Sequence, residues 1–129
     1  MKMKNPEKNI LIVGAGDAGA MLAREIINHC SRERRIVGFV DDDFAKHGQQ
    51  LMGIPVLGGR AELPRLASSM NASEILIAIP SAPGSVIREI TNSCRTTSCS
   101  VRILPKLADL IDGKVSLQNL RPVDLEDLL

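Results

Sequence analysis

The residues of this chain best suited to chemistry are Gly14-Ala15-Gly16-Asp17-Ala18-Gly19, a G-x-G-x-x-G spacing. The aliphatic run Ile10-Leu11-Ile12-Val13 leads into them, and a helical pattern of Met21, Leu22 and Ile26 leads out. In sequence form this is a buried strand, a tight turn and a helix N-terminus. Each glycine has its own physical purpose. Gly14 allows the sharp turn, Gly16 removes a Cβ where a pyrophosphate would approach, and Gly19 lets helix and strand pack closely. The unpaired N–H groups of the first helical turn, at the positive end of the helix dipole, favour an anion.

Such a loop requires an acidic partner around 20 residues on, at the end of the second strand. Asp41 stands there, directly after Ile36-Val37-Gly38-Phe39-Val40, with Asp42 and Asp43 beside it. A carboxylate in that place can accept both hydroxyl protons of an adenosine ribose. It also repels a 2′-phosphate, so the pattern favours NAD over NADP, with Lys46 partly offsetting the preference. Pro80-Ser81 closes a later strand, and its hydroxyl can donate to a phosphate or ribose. Serine after proline is also ordinary turn chemistry. Candidate cofactor-binding residues are therefore Gly14, Ala15, Gly16, Asp17, Ala18, Gly19, Asp41, Asp42, Pro80 and Ser81. The bland alternative stays open: glycines for turn and packing only, and aspartates that keep a loop soluble.

No catalytic or metal-binding set accompanies the loop. Sugar-modifying short-chain dehydrogenases use a Tyr-x-x-x-Lys pair as acid/base, but this chain has no Tyr and no methionine with a lysine four residues on. His29 and His47 lack an evident partner, and no nucleophile elbow of the G-x-S-x-G type occurs. Cys30, Cys94 and Cys99 are odd in number and have no C-x-x-C spacing, which suits a reduced, cytoplasmic compartment. Cys94 reads as core and Cys99, within a Ser/Thr stretch, as exposed. The sequence therefore offers neither a catalytic residue nor a metal ligand.

Composition narrows the class further. Hydrophobic residues make up 44% of the 129-residue chain, with two Phe and neither Trp nor Tyr. An aliphatic core of this kind suits parallel α/β layers and lacks the stacking rings of single-stranded nucleic-acid platforms. A net charge of +1 gives no general attraction to nucleic acid or lipid. No apolar run approaches the ~20 residues of a membrane span.

The elements that must position the loop follow from periodicity. Strands are expected at 10–13, 35–40, 54–57, 74–79 and 101–104, and helices at 17–29, 61–70 and 84–95. Their alternation predicts one α/β domain, a single doubly wound, Rossmann-like parallel sheet in the order 3-2-1-4-5 with helices on both faces. The reversal between strands one and four brings together the loops at 14–19, 41–43 and 80–84. Residues 1–8 read as a leader or stub, 9–105 as the nucleotide-binding domain, and 106–129 as a leucine-rich tail with a helix starting near Pro122. That tail should not stay exposed on a soluble monomer, so it is expected to make a homo-oligomer or to lead into a missing catalytic domain.

Several blocks in series carry a resemblance: Leu11-Ile12-Val13 with the glycine loop, Val37-Gly38-Phe39-Val40-Asp41-Asp42-Asp43 and Gly53-Ile54-Pro55-Val56-Leu57-Gly58. Ile77-Ala78-Ile79-Pro80-Ser81, Val101-Arg102-Ile103-Leu104-Pro105 and residues 121–129 complete the set. Together they resemble the N-terminal cytoplasmic, CoA-binding-like Rossmann domain of the polysaccharide-biosynthesis nucleoside-diphosphate-sugar epimerase/dehydratase family. The resemblance implies a parent with membrane helices before this domain and a catalytic NAD(P)-dependent domain after it. That parent would act on UDP-linked sugars, as a 4,6-dehydratase, epimerase or 4-dehydrogenase, at the cytoplasmic side of the inner membrane. The family brings no ligand for this domain, so NAD, NADP, a UDP-sugar and a CoA-type nucleotide all remain open. Two functions follow: a nucleotide-binding regulatory domain, or a non-catalytic structural and oligomerisation module with a vestigial site.

Overall fold

In the computed structural model, which describes residues 8–110 and 114–125, the apolar runs become strands joined by amphipathic helices. In chain order these are β1 (Lys8–Val13), α1 (Asp17–His29), β2 (Arg34–Val40), β3 (Gln50–Leu51) and β4 (Ile54–Gly58). They continue with α2 (Leu63–Ser69), β5 (Glu74–Ile77), α3 (Gly84–Cys94), β6 (Ser100–Ile103) and β7 (Arg121–Pro122). All strands join one sheet in the order β3-β4-β2-β1-β5-β6-β7. Within it β4, β2, β1, β5 and β6 are parallel, which is the expected 3-2-1-4-5 arrangement with its reversal between β1 and β5. The outermost strands, β3 and β7, are antiparallel additions.

Alternation along the central strands divides the core between the two faces. Ile10, Ile12, Phe39 and Leu76 pack with Leu22, Ala23 and Ile26 of α1. Leu11, Val13, Val40, Ile75 and Ile77 pack with Leu63 and Leu66 of α2 and with Ile90 and Cys94 of α3. One face therefore has two helices and the other has one. The link from β2 to β4 holds only a 3-10 turn at Phe44–Lys46 and the β3 strand, so no helix stands beside α1 on that side.

The tail fills the vacancy. Leu110, Val115 and Leu120 are buried in the α1-side core, beside Leu104. The tail expected to pack on another copy or on a further domain thus packs, in its described part, on this chain's own core. The helix expected near Pro122 does not begin at that residue. Arg121 and Pro122 pair with Ile103 and Arg102 as β7, and Val123 N–H donates to the Val101 carbonyl at 2.9 Å. Residues 126–129 of that expected helix lie outside the described residues.

Smaller differences have local causes. β1 begins at Lys8, whose N–H donates to the Glu33 carbonyl, so Lys8 belongs to the sheet rather than to the leader. The second helix is shorter than 61–70 because Arg60–Glu62 forms a 3-10 turn ahead of it. β5 ends at Ile77, after which Ala78 N–H still donates to the Val13 carbonyl and the chain turns away. Cys99 is buried, not exposed, with its thiol donating to the Ala72 carbonyl at 3.2 Å.

One buried charge crosses the sheet at its amino end. Glu74 is 2% exposed, and its two carboxylate oxygens face Arg34 Nε at 3.1 Å and Arg102 Nε at 3.5 Å. Three strands thus contribute to one ion triad, in keeping with the rule that a buried charge must be partnered.

Candidate functional site

The site is built from strand ends. β1 runs into Gly14, whose φ of +115° is open to glycine and strained for other residues. A Cβ on Gly14 would also lie 2.6 Å from the Ala78 carbonyl oxygen, so the turn passes hard against the end of β5. A Cβ on Gly19 would collide with the Gly14 carbonyl oxygen, which explains why helix and loop can close here. Gly16 differs from both. It is the N-cap of α1 with φ −94°, and a Cβ placed on it would meet nothing within 4 Å. No side chain caps the first turn of α1, so its N–H groups open toward solvent above Gly16.

Asp41 follows β2 and reaches back across this loop. One carboxylate oxygen accepts from Ala15 N–H at 2.8 Å and the other from Asp43 N–H at 2.8 Å. Lys46 Nζ lies 3.7 Å from the first of these oxygens and donates to the Ala15 carbonyl at 3.4 Å. The Ala15 peptide is therefore clamped at both of its polar ends. Burial pushes the Asp41 carboxyl up, but the Asp43 and Ala15 N–H groups and the Lys46 ammonium outweigh it and hold the group below its ordinary value. His47 donates from Nε2 to the Asp41 carbonyl at 2.6 Å, fixing the same corner from behind.

A cleft of about 540 Å³ lies where the three expected loops meet. Gly14, Gly16, Asp17 and Ala18 form one wall, Asp41 the end, and Pro80 and Ser81 the opposite wall. Ala15 and Gly19 sit behind that surface and act on the loop's shape. Asp42 lies apart from the cleft. Its carboxylate accepts from Arg60 N–H at 2.8 Å and faces Arg60 Nε at 3.1 Å, and it rims a second, smaller cavity on the α3 side.

Lys46, His47 and Arg60 are absent from the fingerprint, although each touches its residues. Arg60 had a usable signal, because it follows Gly58-Gly59 at the carboxyl end of a strand, the edge where such sheets bind ligands. Among the described residues no group of three or more His, Cys, Asp or Glu could hold a metal. No described helix is long and apolar enough to cross a membrane. Burial, then the neighbouring Cys99, pushes the Cys94 thiol up to about 12, and burial raises Cys99 as well, so neither environment favours the thiolate.

Sheet order, glycine turn and strand-end carboxylate together define a Rossmann-like domain of the nucleotide-binding type. Residues 2–105 match the model of the CoA-binding domain family, and the chain belongs to that family. It is 30% identical over 128 residues to the probable polysaccharide biosynthesis protein EpsC of Bacillus subtilis, covering 99% of this chain and 21% of that protein. It is 31% identical over 124 residues to the capsular polysaccharide biosynthesis protein CapD of Staphylococcus aureus, covering 95% and 21%. The chain thus spans about a fifth of the length of these curated relatives. The structure of UDP-D-quinovosamine 4-dehydrogenase from Vibrio fischeri superposes with a TM-score of 0.80 at 35% identity, covering 96% of this chain and 99% of that one. A Rex-family repressor, RSP, solved with β-NADH, shares the fold at 14% identity with a TM-score of 0.66, covering 94% of this chain and 55% of that one.

Proposed function

We propose that this chain is a nucleotide-binding regulatory domain, with an NAD-like ligand, of a UDP-sugar 4,6-dehydratase, epimerase or 4-dehydrogenase of surface-polysaccharide biosynthesis. Gly16 carries the ligand part of this reading. Gly14 and Gly19 are explained by contacts inside the chain, whereas Gly16 has an unstrained φ and empty space where a side chain would go. At an N-cap, Ser or Asp stabilises a helix better than Gly, by a few tenths of a kcal/mol. The missing Cβ is therefore best explained by something outside the chain that needs close approach to the backbone, as a pyrophosphate does.

The remaining parts suit that occupant. Unpaired helix N–H groups face the cleft, and Ser81 stands opposite. Each oxygen of Asp41 has one backbone donor, which leaves lone pairs for ribose hydroxyls. The polysaccharide-biosynthesis and UDP-sugar assignments rest on the relatives, whose catalytic groups would lie in the part of those proteins that this chain does not span.

Calorimetric titration with NAD, NADP, CoA and UDP-N-acetylglucosamine tests the reading. NAD is expected to bind, and at 100 times Kd it should raise stability by about 2.7 kcal/mol. Gly16→Ala should remove most of that affinity while costing at most about 1 kcal/mol of stability. Absence of binding by all four at millimolar concentration would refute it.

A further inference from the structure

We propose that the cleft between α3 and the β6–β7 edge of the sheet is a second binding site, separate from the glycine loop, for a phosphate monoester that carries an apolar chain. The cleft measures about 540 Å³, within the ~300–1,000 Å³ of small-molecule sites. It meets the glycine-loop cleft only along Ile79, Pro80 and Ala82, and neither Asp41 nor any residue of the 14–19 loop lines it. A site there goes beyond the nucleotide reading and stands without it.

The floor is apolar because the sheet beyond α3 is left bare. α3 is the last described helix, and the tail that follows β6 packs its Leu110, Val115 and Leu120 on the opposite face. Ile87 of α3, Ile103 of β6 and Val123 after β7 are therefore only half-buried, and they line the cleft together with Ile79. An apolar chain laid on them removes that surface from water. It strands no hydroxyl in doing so, because Thr91 at the side of the cleft already donates to the Arg88 carbonyl at 3.1 Å.

The rim supplies the charge. Arg88 from α3, Lys106 after β6 and Arg121 from β7 are exposed and line the same cleft. Arg34, Lys46, Arg60, Arg65 and Arg102 each have a carboxylate within ion-pair distance. Among the described residues the three rim cations have none. An anion from outside relieves their mutual repulsion. Asp109 is the one acidic residue lining the cleft, so three positive charges against one negative leave two. That matches the about −1.5 to −2 of a phosphate monoester better than the single charge of a carboxylate. Two guanidinium groups can also grip phosphate oxygens bidentately. The same rim disfavours the positively charged ring of an oxidised nicotinamide cofactor, so the cleft does not extend a dinucleotide's path.

The test is calorimetric titration of the whole chain with n-octyl phosphate below its micellar concentration, beside methyl phosphate, octanoate and 1-octanol. Octyl phosphate is expected to bind at least tenfold more tightly than each of the other three. Arg88→Gln and Arg121→Gln, both on the surface, should each weaken it at least fivefold, while Gly16→Ala changes it less than twofold. Octanol or octanoate binding as tightly as octyl phosphate, or an affinity unchanged by both arginine variants, overturns the site. A loss with Gly16→Ala equal to that with Arg88→Gln overturns it too, by putting the ligand on the glycine loop. Absence of binding at millimolar concentration, or binding only to vesicles containing phosphatidate, does the same. None of these outcomes depends on NAD, so failure here leaves the nucleotide reading intact.

Discussion

The three glycines of one motif do three different physical things, and substitution separates them. Gly19→Ala places a Cβ against the Gly14 carbonyl, a backbone atom that cannot move aside cheaply, so we expect a loss of about 3 kcal/mol or more. Gly16→Ala meets no atom and should cost at most about 1 kcal/mol, through the weaker N-cap. Urea unfolding of the two variants side by side measures this contrast. Asp41 gives a pH-dependent counterpart. Its carboxyl is held below the ordinary value of about 3.9, so its contribution is complete above that value and disappears as pH falls through the lower folded-state value. Asp41→Asn turns an amide NH₂ toward a backbone N–H and should cost about 1–2 kcal/mol at pH 7. The difference between variant and parent should shrink below about pH 4. A gap of the same size at pH 3 and pH 7 would show that the carboxylate charge is not what matters. That Asp41 faces the glycine loop was legible from the fingerprint. That the protein's own backbone occupies both of its oxygens was not, because this depends on how the β2 loop folds back.

Among the elements, two departures from the expected pattern can be tested. The β3–β4 hairpin turns on Met52 and Gly53, both with positive φ, at 56° and 77°. Two-residue turns of this kind favour Asn-Gly, and a methionine there is strained. Met52→Asn should therefore stabilise the chain by about 0.5–1 kcal/mol, read as a higher urea midpoint. The hairpin escaped the sequence reading because Met-Gly is a poor turn signal and two-residue strands have no period to detect. The tail is the second case. Leu110, Val115 and Leu120 follow no clean period because each fills the gap beside α1 from an irregular stretch, and Val123 and Leu125 pack on the opposite face. Leu120 is 8% exposed in that core, and Leu120→Ala should lose about 2–3 kcal/mol, as a core leucine does. A loss below about 0.5 kcal/mol would mean that the tail is an accessory rather than a layer of the domain.

At the scale of the whole molecule, two core clusters share one sheet, and the cysteines can report on one of them. Cys94 and Cys99 lie in the α2–α3 face, both buried, with Cys94 pushed up to about 12 and Cys99 raised. Few thiolates exist there at pH 8, whereas Cys30 is partly exposed. Alkylation at that pH should modify Cys30 in the folded chain and reach the other two only in denaturant. Rapid labelling of all three would show that the face opens locally. Strand order and the place of the reversal were determined by the sequence alone, because local period, turn residues and the handedness of crossovers leave few topologies. The glycine loop, Asp41 and the Pro80-Ser81 turn were likewise determined, since they follow directly from strand ends. Tertiary structure alone decided the rest. The Arg34–Glu74–Arg102 triad joins three strands, Arg60 reaches Asp42 and Glu89 from the loop ahead of α2, and the tail supplies a missing layer. Each unites residues far apart in the chain through side-chain reach and space left unfilled, and neither of those has a period or a spacing to read.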